Sequence, residues 1–178
     1  MERARHPMER RDPTRPENVR RTAWAGAVGG IVAASAMLLF ATIVSAMEGT
    51  GVLGPVMVIG ATFLGESAMA QPIASSMLGL VTHVLMGAAF GMPFALVTRR
   101  IASSPLLLGA GVAYGAGIFL VMTYLVLPLV NPIMAATIEP GWWFLYHLAF
   151  GLLLPATLLV ARRHVTREWF SDGRESVV

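Results

Sequence analysis

Two stretches of this chain share a pattern, THVLMGAAFGMPFALVTRR from Thr82 to Arg100 and YHLAFGLLLPATLLVARR from Tyr146 to Arg163. In each stretch a histidine is followed by a glycine four residues later and by an arginine sixteen residues later. The matching positions are His83, Gly87 and Arg99 in the first copy and His147, Gly151 and Arg163 in the second. Both stretches are otherwise almost wholly apolar, so the pattern indicates two related membrane-crossing helices.

Composition supports a membrane protein. The chain has 178 residues, of which 56% are hydrophobic, and a soluble domain of this size could not bury so much apolar surface. The basic residues are all arginines and are grouped near the ends and at one short turn. A nucleic-acid-binding protein would instead spread them over one face, so this function is not expected.

Hydropathy predicts an all-α fold with four transmembrane helices arranged as two helical hairpins. Each apolar segment is long enough to cross a bilayer of about 30 Å at a rise of about 1.5 Å per residue. The predicted helices are 22–47, 77–98, 105–130 and 142–161. Segment 52–64 is apolar but too short to cross, so we expect it to be interfacial or re-entrant. The flanking segments are predicted to be a disordered basic tail (1–21) and a second tail (162–178).

Arginine placement predicts the orientation. Arginines occur in the first tail, in the turn at Arg99 and Arg100, and after Ala161. The charged residues of the two opposite connections are all glutamates. By the positive-inside rule both termini are cytoplasmic, and the multi-pass chain is expected in a bacterial inner membrane. Trp142, Trp143 and Tyr146 then fall at the outer interface.

The two halves have the same predicted orientation, which is the arrangement of a parallel internal repeat. Any four-helix protein with cytoplasmic termini has the same arrangement by chance, so both interpretations stay open. Small residues recur at intervals of four on the predicted helices and should let neighbouring backbones approach closely within one chain. These stripes are Gly26, Gly30 and Ala34, then Gly87 and Gly91, then Gly111 and Gly115.

His83 and His147 are the candidate ligand-binding residues. Each lies roughly 24 Å from the cytoplasmic surface by helical rise and shares a helix face with small residues, so both should point inward. A polar side chain in the membrane interior needs a partner. One interpretation is that the pair only fixes helix packing. The other is that it binds haem b through two axial imidazoles, a divalent metal with help from Glu48 or Glu66, or a quinone or lipid head group.

Three further polar residues, Tyr114, Tyr124 and Asn131, could join a network near the histidines. The chain contains no phosphate-binding loop, nucleophile elbow or metalloprotease motif. We therefore expect an accessory or structural membrane protein, or one that binds a small ligand. The alternative is a redox or transport protein that uses His83 and His147 as haem or metal ligands or as proton carriers. A membrane-protein partner or a homo-oligomer fits either hypothesis.

The motifs THVLMGAAFG, YLVLPLVNP and YHLAFG before paired arginines resemble small bacterial inner-membrane proteins of the YagU-like group. The resemblance covers residues from about Met77 to Arg163. It implies an inner-membrane architecture of four helices and no established activity.

Overall fold

The computed structural model describes residues 15–175, with side chains described for 15–161. Helices are the regular secondary structure of the described residues, which contain no strand, and four of these helices are long and apolar enough to cross a membrane. These are α1 (Pro16–Met47), α3 (Pro72–Thr98), α4 with its continuation (Ser104–Val130) and α7 (Pro140–Glu175, apolar as far as Ala161). Large apolar side chains remain exposed on all four, among them Leu39, Leu85, Leu120 and Leu145. Such surfaces are suited to a lipid bilayer.

Shorter helices complete the fold. They are α2 (Gly54–Leu64) with a 3₁₀ turn (Gly65–Ala68), α5 (Leu127–Val130) and α6 (Pro132–Thr137). The predicted interfacial segment 52–64 is thus a helix, and it packs along the beginning of α3. A Cβ on Gly60 would overlap Ser75, and one on Gly79 would overlap the backbone of Val56. We call the end of the bundle where α2 lies the α2 end and the opposite end the Arg99 end.

The first helix begins at Pro16, not at the predicted Thr22. Proline is favoured in the first helical turn, and Glu17 in that turn complements the helix dipole. Once the apolar segment is helical, extension by a few residues is inexpensive. The remainder of the predicted tail, residues 1–14, lies outside the described residues. At the other end of the chain the backbone of α7 continues helically into the predicted tail 162–178.

The third long helix changes geometry near a proline. Between α4 (Ser104–Val121) and α5 runs a π-helical turn, Met122–Val126. Pro128 has no N–H to offer the carbonyl four residues earlier, and its ring would crowd that carbonyl, so the wider turn relieves the conflict. Asn131, which precedes Pro132, leaves the helical conformation, with φ −145° and ψ 73°, and ends the helix.

Two close helix pairs form the bundle. On α1, a Cβ at Gly26 or Gly30 would overlap the carbonyl of Gly91 or Gly87 on α3, so these helices run antiparallel. The predicted small-residue stripes are confirmed as contact surfaces within one chain. On α4 and α7, Gly111 and Gly115 approach Gly151 in the same way. Helix α1 also packs against α7, whereas α3 and α4 make few direct contacts.

Packing differs between the two halves of the bundle. Toward the Arg99 end the core is filled by large side chains, with Leu107 and Leu154 fully buried and Phe94 and Leu158 nearly so. Toward the α2 end the four long helices enclose open space. The fold therefore places a cavity at the level of the two histidines.

Candidate functional site

The central cavity lies between α1, α3, α4 and α7 and is bordered by residues of α2 and α6. Its volume is about 190 Å³. Most of its lining is apolar, and the polar side chains that reach it are His83, His147, Thr62, Thr82, Asn131 and Trp143. The structure thus brings the two sequence-predicted histidines to one cavity.

His83 on α3 is held by a neighbouring helix. Its Nε2 lies 2.9 Å from the carbonyl oxygen of Ala34 on α1. A carbonyl can only accept, so Nε2 carries the ring proton. Gly87, one turn further along α3, lets the two helices come close enough for this bond, because a Cβ there would lie 2.5 Å from the Cβ of Ala34.

His147 is held by its own helix. Its Nδ1 donates to the carbonyl oxygen of Trp143, at 2.8 Å. The imidazole packs edge-on against Trp143, with ring centroids 4.5 Å apart, and against Phe119 at 6.0 Å. The residue is 4% exposed. Its orientation and tautomer are therefore both set by the protein.

Each imidazole keeps one nitrogen without a hydrogen-bond partner among the described residues, Nδ1 in His83 and Nε2 in His147. Within residues 15–161, Ser76 Oγ is the one fully buried side-chain nitrogen or oxygen that lacks a partner. Nε2 of His147 also lacks a partner, so it must retain accessible surface. Since the residue is otherwise buried and lines the central cavity, that surface faces the cavity.

The other polar groups of the lining are engaged with the protein. Asn131 is 2% exposed and donates to the carbonyl oxygen of Val58 and to Thr62 Oγ1, both at 2.9 Å. Its Oδ1 accepts from the Met134 N–H and caps α6. Trp143 Nε1 donates to Thr123 Oγ1 at 3.0 Å. Asn131 therefore joins α2 to α6 and forms one wall of the cavity.

A second cavity, the side cavity, adjoins the central one and has a volume of about 320 Å³. The two share five lining residues, Met37, Ile59, His83, Met134 and Trp143. Glu48 lines the side cavity together with Glu139 and Tyr146. It therefore lies near His83 but does not line the central cavity.

Glu139 precedes α7 and caps it. Its Oε2 accepts from the backbone N–H of Trp142 at 2.7 Å. This hydrogen bond and a second from Gly141 hold the pKa of the carboxyl below its ordinary value of 4.5. The charge also suits the positive end of the helix dipole.

Glu66 lies elsewhere. It is an exposed residue of the 3₁₀ turn Gly65–Ala68 and lines neither cavity. Over the part of the chain with described side chains, no three His, Asp or Glu residues come together in a way that could hold a metal ion. The divalent-metal hypothesis with Glu48 or Glu66 has no supporting geometry there.

Haem b also fits the site poorly. An axial ligand must offer a ring nitrogen with a lone pair, and Nε2 of His83 is committed to Ala34. The remaining Nδ1 is crowded by the residue's own Cβ and backbone. The central cavity is moreover smaller than the roughly 300–1,000 Å³ of sites for drug-sized molecules, and a haem is larger than most such molecules.

The other two residues considered for a polar network serve different roles. Tyr114 donates from its hydroxyl to the carbonyl oxygen of Phe90, at 2.8 Å, and so joins α4 to α3. Tyr124 is exposed and contacts Phe119 edge-on. Sequence reasoning assigned Trp143 to the membrane interface and missed its contact with His147. The spacing of four residues on one helix was the signal that could have found it.

Comparison of this chain with protein-family models, with curated proteins and with solved structures finds no match.

Proposed function

We propose that this chain is a multi-pass membrane protein of a bacterial inner membrane, built from two helical hairpins with both termini in the cytoplasm. Support comes from the four apolar helices and from the arginines at the Arg99 end. The α2 end would then face outward, and Trp142 and Tyr146 would lie near the outer interface. The YagU-like resemblance, which rests on the same helices, is part of this proposal.

We further propose a parallel repeat of the two hairpins. The carbonyl of Gly87 meets Gly30 in one helix pair, and the carbonyl of Gly151 meets Gly111 in the other. In both pairs the histidine lies one turn before the glycine on the same helix. The equivalence is incomplete, because His83 bonds across to α1 while His147 bonds within α7.

The proposed activity is the binding of a small, mostly apolar molecule in the central cavity. One observation carries it: Nε2 of His147, a residue that is 4% exposed, has no hydrogen-bond partner among the described residues and opens onto the central cavity. A polar atom that opens onto a mostly apolar cavity forgoes hydrogen bonds that it would make in water, and a histidine needed only for packing would avoid that loss. A bound molecule that donates to Nε2 would supply the missing hydrogen bond.

Binding fits the surrounding structure better than conduction. Toward the α2 end the central cavity adjoins the side cavity, so open space continues in that direction. Toward the Arg99 end the fully buried Leu107 and Leu154 fill the bundle. A molecule would enter from the α2 end and stop at the histidines.

Native mass spectrometry of the detergent-purified protein tests this proposal. The wild type should carry one bound molecule of defined mass, and Met86→Trp, which fills the cavity from its lining, should lose it. The matched control is Leu85→Trp, the neighbouring residue, whose side chain is 63% exposed and points away. Loss of the adduct in Met86→Trp alone supports the proposal. The same adduct on all three proteins would contradict it.

A further inference from the structure

The tautomers of the two histidines define what kind of molecule the central cavity accepts. Ala34 and Trp143 present carbonyl oxygens to the rings, so the protons lie on Nε2 of His83 and Nδ1 of His147. In a neutral imidazole the other nitrogen is an acceptor. The free acceptors are therefore Nδ1 of His83 and Nε2 of His147, and of these Nε2 of His147 opens onto the central cavity.

The neutral form is the one that the surroundings favour. None of the carboxylates in residues 15–161 lines the central cavity, and the lining is predominantly apolar. A buried charge without a partner is costly. Two acids, Glu48 and Glu139, line the adjoining side cavity, and both are exposed.

Few hydrogen-bond donors of the cavity lining are free to donate to an acceptor on a ligand. Both N–H groups of the Asn131 amide are used by Val58 and Thr62, and the Trp143 N–H is used by Thr123. The hydroxyls of Thr62 and Thr82 can donate or accept, so they do not discriminate. Discrimination comes from the imidazole acceptors, above all from the buried His147.

The volume sets the size of the group that reaches the histidines. A dry cavity of about 150 Å³ in another protein accommodates one benzene molecule. The central cavity, at about 190 Å³, is therefore large enough for one aromatic ring with a small substituent. Phe119, Trp143 and Phe150 at or near the histidines favour an aromatic ring.

We infer that the molecule bound in the central cavity carries an uncharged one-ring phenolic head group whose hydroxyl donates to Nε2 of His147. This inference rests on the proposed binding function and names its ligand class. At Nε2 it excludes groups that only accept, such as a quinone carbonyl, because two lone pairs would then face each other. A molecule without the donor would leave Nε2 unpaired and should bind roughly tenfold more weakly or worse.

Two probes of nearly the same shape test the inference, 4-fluorophenol and 4-fluoroanisole. The second replaces the hydroxyl hydrogen with a methyl group, so it keeps the ring and loses the donor. Binding to the full-length protein in detergent micelles is followed by ¹⁹F NMR. Met86→Trp, with its cavity filled, measures partition into the micelle.

Saturable binding of 4-fluorophenol, at least tenfold tighter than that of 4-fluoroanisole, is the expected result. The preference should disappear in His147→Phe, which keeps a ring and removes the acceptor. His147→Gln can accept through its amide oxygen, so it should recover part of the preference for 4-fluorophenol. Such a recovery would show that the loss in His147→Phe is not caused by misfolding.

Different results would contradict the phenolic ligand class and the binding of a molecule in the central cavity. Equal affinity for the two probes, or tighter binding of the ether, would overturn the phenolic class and leave cavity binding intact. If neither probe shows saturable binding but the co-purified adduct persists, the phenolic ligand class is wrong and the proposed cavity binding still stands. If neither probe binds and Met86→Trp changes no adduct, both proposals fail.

Discussion

Nε2 of His83 on α3 lies 2.9 Å from the carbonyl oxygen of Ala34 on α1, at the point where Gly87 lets the two backbones approach. The bond fixes the ring and its tautomer, so the nitrogen left free is Nδ1. The contact joins α3 to α1 and also fixes the ring of a residue that lines the central cavity. The packing and binding interpretations of this histidine are not exclusive.

Substitution of Gly30 by Ala should lower the thermal unfolding midpoint. The added Cβ would overlap the carbonyl of Gly87, and overpacking costs about 1–3 kcal/mol. The backbone neighbour cannot move aside as a side chain would, so we expect the upper part of that range. Differential scanning fluorimetry in detergent measures the shift.

Gly109→Ala and Gly117→Ala are matched controls, because a Cβ at either position would have no atom of another described helix within 4 Å. Alanine favours a helix over glycine by roughly 0.5–1 kcal/mol, so these variants should be neutral or slightly stabilised. A Gly30→Ala protein as stable as these controls would argue against the close α1–α3 contact.

Replacement of Asn131 by Ala should destabilise the α2 end. The change removes two hydrogen bonds to α2 and the cap of α6, and a buried group left unpaired costs about 1–3 kcal/mol. Hydrogen exchange should increase first in α2 and α6. Gln71→Ala, which removes an exposed amide with one side-chain hydrogen bond, should have little effect, and equal losses in both variants would contradict the account.

Glu139 should make a pH-dependent contribution to stability. Because its pKa is lowered in the folded protein, the contribution is complete above the ordinary value of 4.5 and is lost as the pH falls through the lowered pKa. The unfolding midpoint of Glu139→Gln should therefore lie below that of the wild type at neutral pH, and the gap should close in acid. Glu66→Gln, whose side chain makes no hydrogen bond to a described residue, should show no such convergence.

The proposed orientation is open to a simple labelling test, because the chain contains no cysteine. In intact cells a membrane-impermeant maleimide should label Glu66→Cys in the turn after α2 and should not label Ala102→Cys in the turn after Arg100. Both native residues are exposed, so burial does not explain a difference. The reverse labelling pattern would invert the proposed topology.

Much of the fold follows from the sequence because membrane-crossing helices are long and uniformly apolar. The four spans and the glycine contact faces were both predicted, since each depends on one helix at a time. The packing of α2 on α3 was not predicted. It depends on Gly60 meeting Ser75 and on Gly79 meeting the backbone of Val56, contacts that no single helix reveals.

The site was predicted only in part for a related reason. Equal spacing from Arg99 and Arg163 placed His83 and His147 at one height, and both do line one cavity. Which ring nitrogen is free depends on the carbonyls of Ala34 and Trp143, and these positions require the packed bundle. Glu48 and Glu66 are both on the same connection, yet only Glu48 lines a cavity beside His83.

The most direct test of the account is ¹⁵N NMR of the protein labelled at histidine, with the signal of His147 assigned through His147→Phe. We predict a neutral ring with the proton on Nδ1 and an unprotonated Nε2 whose signal shifts when 4-fluorophenol is added and does not shift with 4-fluoroanisole. A proton on Nε2, or a free Nε2 that responds to neither probe, would contradict the proposal that this nitrogen receives a ligand hydroxyl.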